Sequence, residues 1–324
     1  APMIQLDYQW PSSFPTIFSY DKNLTNKSAD IIIDRIEEFF SEYYGCGAYL
    51  MPSGRSSISL LMRYLEFDRN KTVFITKWSS NCLYSCIGPY SNISTDLVDP
   101  DLILANHKWG YKVNLPEEYS SKIIIEDSVD TIHSEVSSLF QNNGLAEIIS
   151  LPKIIGSYSG GLILTKDKNL ASYIKSQQQN NIKLGCIQSE RRSKSFEKID
   201  YKLEAWHCFE HINTSLDINA LKDIENNLNN FFKNMLLISN RREIVLEKFR
   251  NLSLDKARLG PVVVLPLSQF SLIDKNKNKN IMVRRFNYSS LLNKDLYEKS
   301  YILPTHFMIS DEYFKSLLDL VIEC

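Results

Sequence analysis

The sequence predicts an α/β protein built around a mainly parallel β-sheet that is covered on both faces. Short apolar segments rich in Ile, Leu and Val alternate with helical or loop connections through the first half of the chain. Segments of this length bounded by turn residues are typical of buried strands, and strands that are apolar on both faces favour a parallel sheet. The predicted strands are Val73–Thr76, Ser94–Val98, Leu102–Ala105, Lys122–Glu126, Glu147–Leu151 and Gly161–Thr165.

The composition is that of an ordinary soluble globular protein, with 44% hydrophobic and 23% charged residues. A chain of 324 residues can bury a large core in one or two domains. The net charge of −1 gives no support for binding to nucleic acid or to a membrane surface, and no apolar run approaches bilayer length. The six cysteines lack metal-ligand spacing, and their scattered pattern suits a reducing compartment, so we expect a cytoplasmic protein without a metal site.

Helical periodicity marks the segments between and beyond these strands. Residues 30–44 carry one apolar stripe, which Gly45 and Gly47 bring to an end, and Pro52-Ser53-Gly54 begins a second helix. Asp217 is placed to cap a long helix whose apolar pattern allows it to continue through Arg250. Ser310 is predicted to cap the last helix.

The C-terminal third contains two further strand candidates, Val262–Leu265 and Ile281–Arg285. The Lys/Asn-rich loop 274–280 between them is predicted to be the solvated tip of a hairpin. We expect a large domain over residues 1–215 and a small α/β domain over residues 216–324.

One lysine lies at a position that suits a catalytic amine. Lys153 follows the predicted strand Glu147–Leu151 and opens a Gly/Ser-rich turn that leads into Gly161–Thr165. An apolar neighbourhood can lower the pKa of a lysine, as a Schiff-base amine requires. The alternative for an isolated lysine is an ordinary surface charge.

Five fragments, spaced along most of the chain, decide between these alternatives. They are PSGRSSISLLMRYL (Pro52–Leu65), ANHKWGYK (Ala105–Lys112), IIIEDSVDTI (Ile123–Ile132), SLPKIIGSYSGG (Ser150–Gly161) and ILPTHFMISDEYFKSLLDLV (Ile302–Val321). Together they resemble the pyridoxal-phosphate-dependent sugar aminotransferases of the DegT/DnrJ/EryC1 family. That family has an SGT segment entering a helix, VHxYG, E-D-x-x-Q, a serine–lysine loop that ends in GG, and LPxHxxL.

The resemblance implies the type I aminotransferase fold and a pyridoxal 5'-phosphate (PLP) cofactor. It assigns Lys153 as the lysine that bonds the cofactor, and Asp127 as the carboxylate that faces the pyridine nitrogen. A carboxylate at a buried strand end is costly without a partner, and a protonated ring nitrogen would supply one. The alternative for Asp127 is a helix or turn cap.

Four residues would hold the cofactor phosphate. Gly54, Arg55 and Ser56 begin a helix, whose first turn presents free N–H groups and the positive end of the helix dipole. Ser150 resembles the family serine that contacts the phosphate. The family usually has threonine where this chain has Arg55, so the local geometry departs from the pattern.

Further positions match the family only in part. Asp130 stands where E-D-x-x-Q has glutamine, near the hydroxyl group of the pyridine ring. Trp78 stacks on the ring, or Ser80 occupies that place and Trp78 belongs to the core. His107 matches the VHxYG histidine as a structural or a functional residue. Asn213 lies near the position of a phosphate-binding asparagine contributed by the partner subunit.

The function implied by the resemblance is transamination of a keto group on a nucleotide-linked sugar, with an amino acid such as glutamate as donor. Substrates and a second copy of the chain are the expected partners, since family active sites lie at a two-fold interface. One alternative is a catalytically degenerate binding or regulatory protein, favoured by Arg55, Asp130 and the altered aromatic segment. Another is a PLP-dependent sugar dehydratase, which the retained Lys153 opposes because those family members replace this lysine by histidine.

Overall fold

The computed structural model describes residues 9, 11, 26–77, 79–157, 159–178, 212–216, 218–273, 281–287 and 297–324. The helices are α1 (Asn26–Tyr44), α2 (Gly54–Tyr64), α3 (Asn81–Ile87), α4 (Leu151–Ile154), α5 (Lys168–Gln178), α6 (Ile218–Leu228), α7 (Phe231–Lys248) and α8 (Asp311–Asp319). The strands are β1 (Gly47–Met51), β2 (Thr72–Phe74), β3 (Asn92–Ser94), β4 (Leu102–Asn106), β5 (Ile123–Asp127), β6 (Ile132–His133), β7 (Ala146–Ser150), β8 (Gly161–Thr165), β9 (Arg258–Leu259), β10 (Val262–Pro266), β11 (Phe270–Leu272), β12 (Met282–Asn287), β13 (Tyr297–Pro304) and β14 (Val321–Glu323).

A seven-stranded sheet in the order β1-β8-β7-β5-β4-β2-β3 is formed by strands between residues 47 and 165. The strands from β7 to β3 pair in parallel, whereas β8 is antiparallel to both β7 and β1. The predicted α/β class and mainly parallel sheet are therefore confirmed. Strand β1 was missed because Gly45 and Gly47 indicated a turn, and Gly47 instead begins a strand paired along its whole length with β8.

Both faces of this sheet are buried, as the apolar strands predicted. Alternate residues of β7 and β8 enter different clusters: Ile149 and Leu162 pack with α1, α6 and α7, and Ile148 and Ile163 pack with α2, α3 and α5. Among the helices in the described ranges, none combines the length and apolarity needed to cross a bilayer.

The long helix predicted after residue 217 is two helices. Helix α6 ends at Leu228 and α7 begins at Phe231, with Asn230 at φ −105° and ψ 4° between them. Consecutive asparagines favour such a break because their side chains compete for backbone hydrogen bonds. Asp217, the predicted cap, lies outside the described residues. The prediction for the last helix is confirmed, since Ser310 Oγ accepts a hydrogen bond from the Tyr313 amide.

The predicted C-terminal hairpin is wrong. Strands β10 and β12 each pair antiparallel with β13, which lies between them, so they run parallel to each other. Parallel strands cannot form a tight hairpin. The segment 274–280, predicted as the hairpin tip, lies outside the described residues.

The division at residue 215 stays a prediction. The strands of the seven-stranded sheet lie between residues 47 and 165, and the three-stranded sheet begins at residue 262. Between them, α6 packs Leu221 and Ile224 into the same cluster as α1. The short strands β6 and β9 also pair, which joins the two parts of the chain directly.

Candidate active site

The predicted site residues converge because several strands end at one edge of the sheet. The carboxyl ends of β5 and β7 lie beside the carboxyl end of β1 and the start of β8. Asp127 is the last residue of β5, Ser150 is the last residue of β7, and α2 starts three residues after β1. The sheet topology therefore gathers positions that are about a hundred residues apart in sequence, at the edge where ligands bind in α/β proteins.

The start of α2 forms the predicted phosphate cradle. Ser53 is the N-cap, and its Oγ accepts a hydrogen bond from the Ser56 amide at 3.1 Å and lies 2.9 Å from Ser56 Oγ. Gly54, Arg55 and Ser56 are all buried. The remaining first-turn amides of an eleven-residue helix make this a site suited to an anion.

The paired glycines set the position of this cradle. A Cβ on Gly161 would lie 2.6 Å from the carbonyl carbon of Ser53 and 2.9 Å from the amide nitrogen of Gly54, so only glycine allows this approach. Gly160, at φ +108°, donates its amide to Pro52 O at 2.9 Å. The glycines after Lys153 thus place the cradle beside the lysine segment.

Asp127 is a buried carboxylate at the strand end, 2% exposed. Its Oδ2 accepts a hydrogen bond from Asn106 Nδ2 at 2.7 Å, and its Oδ1 accepts one from the Val129 amide at 3.3 Å. Burial raises the pKa of Asp127, against the lowering effects of the Asn106 hydrogen bond and the charge of Lys153. A cation placed at this carboxylate would reverse the effect of burial.

Lys153 lies on the short helix α4 rather than on the predicted loop, because Pro152 starts a helical turn directly after β7. Its side chain is half-buried, and its charge acts on both Asp127 and Lys108. Ser150 is 8% exposed and immediately precedes this turn. Ser159 Oγ, in the same segment, is buried without a hydrogen-bond partner in the described part of the chain.

Asp130 does not simply substitute for the family glutamine. Its Oδ1 accepts a hydrogen bond from the Trp109 amide at 2.6 Å. Trp109 has φ +55° and ψ 32°, a left-handed conformation that is strained for a bulky residue. Asp130 therefore stabilises the turn that carries Lys108, and its charge also acts on Lys108 and Asp127.

His107 has a structural role. It is fully buried, with Nε2 2.6 Å from Glu126 Oε2 and Nδ1 accepting a hydrogen bond from the Val113 amide at 2.9 Å. Because Nδ1 accepts, Nε2 carries the proton and donates to Glu126. Both ring nitrogens are thus used to hold the loop that follows β4.

For three of the predicted cofactor-binding positions, the described structure shows no side chain at the candidate site. Trp78 lies outside the described residues, and Ser80 is exposed at the start of α3, so the choice between them stays open. Asn213 is 1% exposed and bonds within its own turn, through Nδ2 to Ser215 O at 2.8 Å and from the Ser215 amide to Oδ1 at 3.0 Å. Its role toward a partner subunit stays a prediction.

The prediction from sequence missed two residues that the fold brings to the site. Asn106 hydrogen-bonds to Asp127. Its position at the end of β4, the strand next to β5, is the feature of the sequence that could have indicated this contact. Lys108 lies within the matched ANHKWGYK fragment, at the position where the VHxYG pattern specifies no residue.

The arrangement fits pyridoxal phosphate. The glycine-shaped cradle suits a phosphate, the buried Asp127 suits a protonated pyridine nitrogen, and Lys153 offers an amine at the same edge. Together with the seven-stranded sheet and its antiparallel β8, these features define a PLP-dependent enzyme of the type I aminotransferase fold.

Comparison with known proteins gives the same class. Residues 36–324 match a family model described as "Putative PLP-dependent aminotransferase". The match covers most of the chain, and the protein belongs to this family of PLP-dependent aminotransferases. A search of curated protein sequences finds no match.

Solved structures share the fold at low sequence identity. A DegT DnrJ EryC1 StrS aminotransferase from Brucella abortus has a TM-score of 0.58 at 13% identity, over 89% of each chain. The aminotransferase TlmJ from Streptoalloteichus hindustanus has a TM-score of 0.58 at 13% identity, over 89% of this chain and 88% of that one. A GDP-4-keto-6-deoxy-D-mannose-3-dehydratase from E. coli has a TM-score of 0.57 at 14% identity, over 97% of this chain and 99% of that one. The DegT/DnrJ/EryC1 resemblance drawn from the sequence is confirmed at the level of the fold.

Proposed function

We propose that the protein transfers an amino group from an amino acid such as glutamate to a keto group of a nucleotide-linked sugar, with Lys153 as the cofactor lysine. The observation that carries the proposal is the convergence of Lys153, Asp127 and the glycine-shaped cradle at one sheet edge. The sugar substrate is inferred from the family resemblance and from the structural neighbours, which include sugar-modifying enzymes.

The bound cofactor supplies an electrophilic carbon that bonds amines and a ring that withdraws electrons from the carbon next to that nitrogen. Asp127 keeps a proton on the ring nitrogen by its negative charge, and Asn106 holds the carboxylate in place. The first turn of α2 binds the phosphate and fixes the orientation. Lys153 Nζ would hold the cofactor and would take up and return the proton that moves during amino transfer.

A dehydratase is the nearest rival, because solved dehydratases share the fold about as closely as the aminotransferases do. Fold therefore does not separate the two reactions. Lys153 supports transamination, since the dehydratases of the DegT/DnrJ/EryC1 family carry histidine at the position of this lysine. A catalytically degenerate binding protein is opposed by the presence of both Lys153 and Asp127.

Borohydride trapping tests the assignment of Lys153. Addition of PLP should produce a visible absorption band, and reduction should leave a stable secondary amine that peptide mapping finds on Lys153. Glutamate should bleach the band of the unreduced protein. Lys153→Ala should abolish trapping and keep the fold, whereas Lys166→Ala, at an exposed lysine beyond β8, should trap normally.

Trapping without bleaching by any amino acid would favour a cofactor-binding protein that has lost catalysis. An adduct elsewhere than on Lys153 would overturn the assignment. We further propose a cytoplasmic homodimer, with Asn213 near the partner's site. Light scattering of the PLP-loaded protein should give a dimer at micromolar concentration, and a monomer with a normal absorption band would contradict a shared site.

A further inference from the structure

The turn at residues 108–110 holds a lysine that the assigned chemistry does not use. Lys108 Nζ lies 4.3 Å from the centroid of the Trp109 ring, a cation–π contact that favours the protonated amine. Trp109 itself is fully buried and has the left-handed backbone described above, which Asp130 stabilises through the Trp109 amide. Strained backbone that the surroundings hold in place is a feature of functional sites.

An arginine from the C-terminal sheet faces the same turn. The Phe286 ring stacks on Trp109 with centroids 5.8 Å apart and an interplanar angle of 12°. Arg284 lies two residues before Phe286 on β12, so both side chains are on the same face of the strand. Arg284 is exposed, and its charge acts on Lys108. The large and small parts of the chain thus each contribute a cation.

Charged groups of both signs act on Lys108. Burial lowers the pKa of Lys108, the negative charge of Asp130 opposes this, and the positive charges of Lys153 and Arg284 add to it. Lys108 and Arg284 thus bring two basic side chains to the turn that Asp130 stabilises. Such a cluster at a ligand edge is complementary to an anion.

We propose that Lys108 and Arg284 bind a carboxylate of the amino donor. This inference rests on the proposed function, because the donor amine must take the place of the Lys153 amine. The α-carboxylate is attached to the carbon that carries that amine, so it lies close to Lys153. Lys108 stands two residues after Asn106, whose side chain hydrogen-bonds to Asp127, so it follows the same group of strand ends. The diphosphate of a nucleotide-linked sugar lies farther from the reacting carbon, across the sugar ring.

The proposal also explains a departure from the family pattern. Glutamine at position 130 would remove the one carboxylate that acts on Lys108 among the described groups. The negative charge of Asp130 opposes the lowering of the Lys108 pKa by burial, while its Oδ1 accepts a hydrogen bond from the Trp109 amide. The acidic residue and the lysine therefore work as a pair, with Asp130 as the positioning residue.

Two matched pairs of variants test the site. Lys108→Gln is compared with Lys112→Gln, which removes the same charge from an exposed position of the same loop. Arg284→Gln is compared with Arg285→Gln, which lies on the opposite face of β12. Rapid mixing of the PLP-loaded protein with glutamate measures the half-saturating concentration and the limiting rate. Calorimetry with glutarate, a dicarboxylate without an amine, measures anion binding alone, and calorimetry with UDP reports on the diphosphate.

Lys108→Gln and Arg284→Gln should each raise the half-saturating glutamate concentration and weaken glutarate binding by about 10- to 100-fold, the scale of one hydrogen bond to a charged group. The limiting rate and the affinity for UDP should change by less than about 2-fold, and the control variants should match the wild type in all three measurements. A loss of limiting rate alone would assign Lys108 to proton transfer and overturn the proposal. A loss of UDP affinity without a loss of glutarate affinity would overturn it in favour of a diphosphate site. If wild-type protein binds glutarate but never reacts with glutamate, the proposed transamination fails while the anion site stands.

Discussion

At the scale of single residues, Asp127 shows how a binding-site residue can lower the stability of a protein that lacks its ligand. Its carboxylate is buried, and an amide group and one backbone N–H are its hydrogen-bond partners in the described structure. Burial raises its pKa, so the ionised form destabilises the cofactor-free protein. Because this pKa is raised on folding, the free energy of unfolding is not reduced by Asp127 below its unfolded pKa of about 4. It decreases as the pH rises from there through the pKa of Asp127 in the folded protein.

Asp127→Asn should therefore stabilise the cofactor-free protein at neutral pH, because it removes a buried charge at constant shape. In the PLP-loaded protein the same change should lower turnover by about 100-fold or more, the scale of losing one preorganised electrostatic contact. Thermal unfolding with and without PLP, at pH 5 and pH 8, measures the first effect, and steady-state kinetics measure the second. Equal melting temperatures for variant and wild type, together with wild-type turnover, would identify Asp127 as a simple cap.

At the scale of elements, the approach of β8 to the start of α2 determines the cradle. Gly161→Ala would place a methyl group against the Ser53–Gly54 backbone, which cannot move aside like a flexible side chain. We expect PLP affinity to fall by about 10-fold or more, because the first turn of α2 must shift away from the phosphate. Fluorescence or absorbance titration with PLP measures this loss.

Gly47→Ala is the matched control, since Gly47 lies at the other end of the same β1–β8 ladder. A Cβ there would meet the hydroxyl end of the Tyr49 side chain at 2.7 Å, and that side chain can move. The control should leave PLP affinity within about 2-fold of the wild type. If both variants lose affinity equally, the cause is damage to the ladder and not the shape of the cradle.

At the scale of the whole molecule, a buried ionic network joins the large sheet to the C-terminal part. Glu147 on β7 lies 2.9 Å from His133 Nε2 and 3.8 Å from Arg258 Nη2, and it accepts hydrogen bonds from Ser128 Oγ at 2.5 Å and the Phe140 amide at 2.6 Å. Arg258 is fully buried on β9. Burial alone would raise the pKa of Glu147, but His133 and Arg258 outweigh it and lower that pKa to about 2.

Glu147→Gln should destabilise the protein by about 3–5 kcal/mol at pH 7, because it removes the largest of the negative charges that act on the buried Arg258. A lowered pKa means that this contribution is present above the unfolded pKa of about 4.3 and is lost as the pH falls toward 2. The difference in free energy of unfolding between wild type and variant should therefore shrink between pH 5 and pH 3, as measured by urea denaturation. A difference that does not change with pH would mean that shape, and not charge, accounts for the loss.

Local patterns in the sequence determined much of this protein. The apolar strands, the serine caps at positions 53 and 310, and the motif residues Lys153 and Asp127 depend on short stretches, because strand burial and helix capping are read within a few residues. The family resemblance then ordered these stretches into a fold and a cofactor site.

Tertiary structure alone decided how distant segments meet. Strand β13 separates β10 from β12, where the sequence favoured a hairpin, because strand pairing depends on the register of the whole sheet and not on proximity along the chain. The hydrogen bond from the Trp109 amide to Asp130 and the stacking of Phe286 on Trp109 likewise join segments that are separate in the chain. No local pattern encodes such contacts, since they depend on which strand ends share an edge and which face of a strand turns inward.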